Sequence, residues 1–439
     1  MQNKVKNTIV LIFLVFVITS SYSVKISKAV PDDITIYHSS DVCQGYTLIS
    51  KMTDETILID MDGNVIHTWS LQGYQSRMLP GGNLLGGNTR NLLHEFISVA
   101  QEDWNGTIVW EFHNWENGSA RAHHDLQREG NPVGYYAPGQ YFLPEGSTLI
   151  LARNTTTKPE MSRKQITDDV IYEVSWNGTL TGFEWHASDH IDEMGLSTIA
   201  KIGIYINPGG PGLILGSLPG DWLHINSISF LGENKWYDAG DERFHPQNIM
   251  ICSRHANFIA IISKKTGEIL WRYGPDFLST TECGKKPGRI IGPHQAHLIP
   301  KGLPGEGNIL VFDNGGFSGY GLFGFPNLIR FYSRVIEFNP ITYDIIQEYS
   351  HKEGLYPFPR TGDCHRFFSF TLSSAQRLPN GNTLICEGNG LRVFEVTPEN
   401  TIVWEYMSTW QFVEGNFYRA YRVPPEWVPG NPAGYEPWE

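Results

Sequence analysis

Charge and cysteine are both scarce in this chain. Only 18% of its 439 residues are Asp, Glu, Lys or Arg, and acidic residues outnumber basic ones 46 to 33, a formal net charge of -13. A chain of that sign has no electrostatic footprint for a polyanion, which argues against a nucleic-acid partner. Five cysteines are present, Cys43, Cys252, Cys283, Cys364 and Cys386, and none forms a Cys-x-x-Cys pair. That argues against a thiolate zinc site. Cys252 and Cys386 sit inside apolar runs and are expected as buried thiols, whereas Cys283 and Cys364 lie in loop sequence, where the sequence leaves their pairing open. The dense cluster of carboxylates that a two-metal phosphatase needs is missing. Beyond the N-terminus, no stretch is long and apolar enough to cross a bilayer.

The N-terminus is the exception. Lys4 and Lys6 precede an apolar run from Ile9 to Ile18, and a Ser-rich stretch follows to Lys28-Ala29. That order fits a secretory signal peptide or, uncleaved, a membrane anchor over residues 1–29. It sets the leader apart from one large domain over 40–439. The protein is therefore expected to be exported, outside the cell or held at its surface. Asn105, Asn117, Asn154 and Asn177 head Asn-x-Ser/Thr triplets, which suit an exported chain.

What the chain has in quantity is glycine and aromatics: 45 Gly, 13 Trp and 20 Tyr. They fall into a repeat. A turn followed by an apolar run ending in an aromatic reads Asp62-Gly63-Asn64-Val65 to Trp69. It recurs as Asn105-Gly106 to Trp110, Asn177-Gly178 to Trp185, Thr266-Gly267 to Trp271, more weakly Tyr343 to Tyr349, and Asn400 to Trp404. A second turn phrase, as in Leu378-Pro379-Asn380-Gly381-Asn382, lies between copies. Asn-Gly and Gly-Asn between alternating apolar runs are hairpin turns. Each unit therefore holds about four short strands, and six aromatic-ended strands predict an all-β, six-bladed propeller. The run Asn416 to Tyr421 lies beyond the last outer strand, and the first blade, starting at Tyr46, lacks an inner strand. Pairing the two would close the ring and hide its edges.

Three histidine phrases occupy one phase of this repeat: His123-His124-Asp125, His224-Ile225-Asn226 and Pro293-His294-Gln295. Each opens an inner strand, so their imidazoles are expected at one mouth of the central channel. The next strand returns to that mouth, which brings Arg153-Asn154, Ser253-Arg254-His255, Asp313-Asn314 and Glu387-Gly388-Asn389 alongside. Phase-matched openings elsewhere hold Gln75-Ser76-Arg77, Ser374-Ala375-Gln376 and Tyr418-Arg419. A mouth of His, Arg, Asn and Gln suits an oxyacid ester. Arginine offers a planar fork of donors to sulfate or phosphate oxygens, and neutral imidazole serves as nucleophile or acid/base. Three histidines are also a zinc set, but Arg254 alongside would repel a cation, so no metal is expected. His255, His297 and His365 are out of phase and read as structural.

Taken in order, these phrases resemble the arylsulfate sulfotransferase family that works without an adenylyl sulfate cofactor. The resemblance runs from about Tyr46 to Trp427. It rests on His123-His124-Asp125, Asp221 to Ser227, Ser253-Arg254-His255, Gly292 to Ala296, Gln376 to Thr383 and Tyr418 to Tyr421. It implies a six-bladed propeller that moves a sulfuryl group from a phenolic sulfate ester to a phenolic acceptor through a sulfated histidine, with ping-pong kinetics and no cofactor. By motif, His294 is the implied nucleophile, with His224 and Arg254 holding the sulfuryl oxygens. His124, next to Asp125, is chosen over His123 as the fourth residue, and Asn226 as pocket support. Tyr320, Phe323, Phe325 and Trp222 are candidates to stack on the phenyl ring. The chain departs from the enterobacterial pattern in lacking a sizeable N-terminal β-domain. Its long loop after Ser227, with Trp236-Tyr237-Asp238, is expected to reshape acceptor access. The alternatives are a non-catalytic ligand- or protein-binding propeller, a quinone-dependent dehydrogenase, whose calcium ligands the mouth does not supply, and a hydrolytic sulfatase.

Overall fold

The computed structural model describes residues 33–52, 55–71, 76–91, 95–215, 218–275, 286–350, 367–408 and 416–438. The leader 1–29, Gln75, Cys283, Cys364 and His365 lie outside the described residues. Cys43, Cys252 and Cys386 are buried free thiols.

The fold is all-β and propeller-like, with two short α-helices among the described residues, Thr198–Ile206 and Lys235–Asp238. Backbone pairing does not give six separate sheets as expected. Among the described residues it gives five sheets of four or more strands and one two-stranded hairpin. The eight-stranded sheet explains the difference. Its two antiparallel runs, from Arg77–Leu79 to Ile108–Phe112 and from Ala122–Arg128 to Leu180–His186, are joined by the single pair Phe96↔Ala122. A second departure is the strand Asp33–Tyr37. It lies before residue 40 and adds to the outer edge of the last sheet against Ile402–Met407. The C-terminal strand Phe417–Val423 pairs antiparallel with Tyr46–Lys51, from Tyr46↔Val423 to Lys51↔Phe417.

The repeated turn has a local cause. Asp60 Oδ1 accepts from the backbone N–H groups of Asp62 and Asn64, and Gly63 takes φ 84°, where a side chain would be strained. Asp103 does the same for Asn105 and Thr107. The repeated tryptophan has a tertiary cause. Each indole N–H donates to a carbonyl of a neighbouring repeat: Trp69 to Gly82, Trp110 to Trp176, Trp185 to Gly267, Trp271 to Pro340, and Trp404 to Met61. A large apolar ring with one obligatory donor thus packs and fixes the angle between adjacent repeats in one contact.

Apolar side chains between the sheets form the core; the first strands of the repeats face inward and carry polar groups. Asp125 lies at their centre. It accepts from Arg77 at 2.6 Å and Arg419 at 3.0 Å, and from the backbone N–H of Ile228 at 3.1 Å. Gln295 reaches Tyr421 Oη at 3.2 Å and accepts from Ala375 N–H at 2.7 Å, while Tyr135 bonds His297 at 2.7 Å. The inward strands behind the histidine phrases therefore carry a polar network centred on Asp125, in which Arg77 Nε has no partner among the described residues. Arg77 and Arg419, expected at the mouth, are spent on Asp125.

Candidate active site

The three histidine phrases share a backbone device. His124, His224 and Gln295 have φ of 52°, 53° and 50°. The ladder slips its register at the same points, between Ile225 and Ser227 and between His294 and His297, and where Ala122–Arg128 meets Ile150–Ala152. A bulge re-aims the side chains at a strand's end, and each left-handed non-glycine residue costs about 1 kcal/mol. The strain is sustained by bonds from below. Tyr418 Oη donates to His124 O at 2.7 Å, and Arg419 donates to Asn226 O at 2.6 Å.

His294 is held in one tautomer. Asn314 Nδ2 donates to the carbonyls of Ser369 and Leu372, at 2.7 and 2.9 Å, so its Oδ1 must face the imidazole. His294 Nδ1 sits 2.8 Å from that oxygen and 3.1 Å from Gly292 O, and both can only accept. Nδ1 therefore carries the proton, and Nε2 carries the lone pair. In this structure that lone pair accepts the N–H of Leu372 at 3.2 Å, in a turn where Leu372 and Ser373 have φ 62° and 85°. Burial first, and then Arg254, hold the His294 pKa well below the ordinary imidazole value, so the ring is neutral near pH 7.

Arg254 is 1% exposed, and none of its three guanidinium nitrogens has a hydrogen-bond partner among the described residues. Its stem passes the His294 phrase: a Cβ on Gly292 would lie 3.9 Å from Arg254 Cγ. Burial lowers its pKa to about 10, with Asp221 opposing, so it remains a cation. A buried, unpaired guanidinium is far outside normal protein economy unless an anion completes it.

His224 Nδ1 is 2.6 Å from Asp221 Oδ2, and its ring stacks on His255, 4.7 Å away, and meets His124 edge-to-face at 4.6 Å. Burial pushes the Asp221 carboxyl up, but His224 and Arg153 outweigh it and hold the group below the usual carboxylate range. His123 and His124 differ in their bonding. His123 Nε2 faces the Ala152 carbonyl at 3.0 Å and must carry a proton, so its Nδ1 accepts from His124 Nδ1 at 2.8 Å. His123 is buried behind, and His124 is the ring that meets His224. Burial, then His224, keep His124 neutral, and His294 also acts on it. His124, His224, Arg254 and His294 thus lie within one electrostatic neighbourhood.

Asn226 lies behind the His294 phrase. Its amide donates to Pro293 O at 2.8 Å, so it positions the His294 phrase from behind, while its Oδ1 has no partner among the described residues. Trp222 and Tyr320 are buried ties, donating to Asp168 at 3.1 Å and to Trp222 O at 2.6 Å, and are not available to a ring. Phe323 and Phe325 are exposed. The Trp236 loop leaves its strand at Phe230, the end remote from His224, and so sits away from the mouth. A separate half-buried ring cluster exists: Phe317, Phe331, Phe368 and Phe370 are linked in edge-to-face and tilted pairs 5.9 to 6.4 Å apart. Sequence reading gave no role to Asp221, though it stands three residues before His224, nor to Asn314, whose signal was its place at a returning strand end. Asp221, His224 and His255 also bring three ligand-type atoms within 4.8 Å. Asp221 Oδ2 is taken by His224, and the cationic Arg254 immediately precedes His255, so the set reads as an imidazole–carboxylate pair.

Several solved structures are similar to the chain. A protein of unknown function from Bacteroides caccae is 12% identical with TM-score 0.47, covering 87% of this chain and 99% of its own. A streptogramin B lyase is 12% identical with TM-score 0.39, covering 90% and 88%. AztD from Citrobacter koseri is 10% identical with TM-score 0.40, covering 87% and 98%. No curated protein matches. A family model described as Arylsulfotransferase (ASST) matches residues 23–406, most of the chain. The chain belongs to the arylsulfotransferase family.

Proposed function

We propose that the protein is an aryl sulfotransferase of ping-pong type in which His294 is transiently sulfated. The observation that carries this reading is the orphaned Arg254 guanidinium beside a neutral imidazole whose Nε2 lone pair is fixed in direction. His294 Nε2 attacks the sulfur of a phenyl sulfate ester; the N–S bond forms as the S–O(aryl) bond breaks and the phenolate leaves. Arg254 stabilises charge on the sulfuryl oxygens, an interaction typically worth about 10²- to 10³-fold in rate. His224, with the Asp221 carboxylate behind it, hands the leaving oxygen a proton and takes one from the incoming phenol. The acceptor oxygen then attacks sulfur, the N–S bond breaks, and the lone pair returns to Nε2. His124 stays neutral and lines the same wall, and Asn226 and Asn314 position His294. The phenyl rings at Phe317, Phe331, Phe368 and Phe370 receive the aryl groups. No cofactor enters the scheme.

The same reading takes the five sheets as six blades, two of them fused at Phe96↔Ala122. The Phe417–Val423 pairing and the Trp404–Met61 bond support a shut ring. Residues 1–29 serve export, which places the enzyme outside the cytoplasm.

Mass spectrometry after exposure to an aryl sulfate without acceptor tests the proposal. A sulfuryl adduct on the peptide bearing His294, absent from His294→Asn, is expected. An adduct elsewhere, or none together with no phenol release, would favour a non-catalytic binding propeller. Phenol release independent of added acceptor would mean hydrolysis instead of transfer.

A further inference from the structure

A second surface stands apart from the mouth chemistry. The helix Thr198–Ile206 exposes Ile199, Ile202 and Tyr205 along one side at i, i+3, i+6 spacing. The turn Leu322–Gly324 packs beside it, with Leu322 71%, Phe323 64% and Phe325 53% exposed. The two are locked at backbone distance. A Cβ on Gly203 would lie 2.9 Å from Gly321 O, and one on Gly210 would overlap Gly324 O. The apolar side chains therefore form one continuous, rigid protrusion. Single exposed apolar residues are ordinary; six gathered on two interlocked elements are not.

The charges around it say what covers it. Arg163 and Lys164 are exposed at the C-terminal end of the helix, bonded there to neutral partners, Ile206 O at 3.4 Å and Asn207 Oδ1 at 3.1 Å. Lys201, on the same helix, is paired with Asp192. A chain of net charge -13 thus keeps Arg163 and Lys164, bonded only to neutral groups among the described residues, beside this apolar surface. Cations flanking an aliphatic and aromatic face are the pattern of a surface that lies in a bilayer interface among anionic headgroups. A second copy of the same face would bring Arg163 and Lys164 against their own kind.

We propose that this protrusion docks shallowly into an anionic lipid bilayer. Ile199, Ile202, Leu322, Phe323 and Phe325 enter the headgroup–acyl boundary, and Arg163 and Lys164 meet lipid phosphates. The turn is rooted on the site, since Gly319 N–H donates to His255 O at 3.1 Å and Ser318 Oγ to Arg254 O at 2.5 Å. Docking would therefore hold the mouth at the interface, where amphiphilic aryl compounds collect. It does not depend on sulfuryl transfer.

Hydrogen–deuterium exchange of the full chain tests it, with vesicles of phosphatidylcholine alone or mixed with phosphatidylglycerol. Slowed exchange is expected over 198–206 and 319–327, stronger with the anionic mixture. Phe323→Asp should weaken it about tenfold or more, and Leu322→Asp, at a still more exposed position, gives the same reading if the first variant folds poorly. Arg163→Gln with Lys164→Gln should erase the preference for anionic lipid. Protection confined to the leader would overturn the proposal, as would protection of the two segments that rises with protein concentration without lipid and so marks a second copy. Indifference to Phe323→Asp and Leu322→Asp would do the same.

Discussion

Arg254→Met separates a binding group from a folding group, because the two demands oppose each other at this residue. The guanidinium is buried and its three nitrogens are unpartnered among the described residues. Replacing a poorly compensated buried charge by an apolar side chain of similar volume is commonly neutral or stabilising by about 1–4 kcal/mol. With an unfolding entropy of roughly 2.1 cal/mol/K per residue, the Asp32–Glu439 unit should unfold with roughly 0.9 kcal/mol/K. The variant should therefore melt about 1–5 °C above the wild type. Inorganic sulfate should raise the wild-type Tm by about 3 °C at roughly a hundred times its dissociation constant. It should raise that of Arg254→Met only by the small general effect of an excluded salt. Turnover of an aryl sulfate should fall about 10²- to 10³-fold or more. Calorimetry with and without sulfate, alongside a phenol-release assay, reads all three. A variant that melts several degrees lower and keeps the full sulfate response would refute the reasoning, since Arg254 would then be a structural tie.

Three further outcomes follow from the same geometry. Asn314→Leu removes the acceptor that keeps the proton on His294 Nδ1, and kcat should fall about 10- to 100-fold with KM little changed, as measured by steady-state kinetics. Asp125→Asn strips the counter-charge from Arg77 and Arg419 in the filled channel, so it should cost about 3–5 kcal/mol in denaturant unfolding. Stability should also fall below pH 6.5. His123, His124, His255, His294 and His297 have lowered pKa values in the fold, so on acidification the unfolded chain binds protons that the fold refuses. Asp168 and Asp169, raised to about 6 and about 7, take up protons in the fold and oppose this. The balance of about three protons predicts a loss of about 4 kcal/mol between pH 6 and pH 5. A flat denaturation profile there would contradict the buried, neutral histidines.

Much of this protein was legible in one dimension. Turn chemistry at Asp60-Gly63 and Asp103-Gly106 is local, so the repeat announces itself, and with it the β class. The phase of the repeat placed His124, His224, Arg254 and His294 together, because residues at one phase of a repeat share one end of their strands. The pairing of Phe417–Val423 with Tyr46–Lys51 was readable from a strand left over at one end and one lacking at the other. What phase could not supply was partnership. Arg77, Arg254 and Arg419 look alike as mouth arginines, yet Arg77 and Arg419 are bound to Asp125, and of the three only Arg254 has no hydrogen-bond partner for any guanidinium nitrogen among the described residues; that depends on which carboxylate arrives from another repeat. Asn226 and Asn314 are equally plausible pocket amides, and only their bonds to Pro293 O and to His294 Nδ1 give them different tasks. The insertions at Thr198–Ile206 and Leu322–Gly324 break the repeat, so no period foretold that their glycines would lock them together. Sequence decides where a side chain begins along a strand; the packing of distant strands decides what it is left to bind.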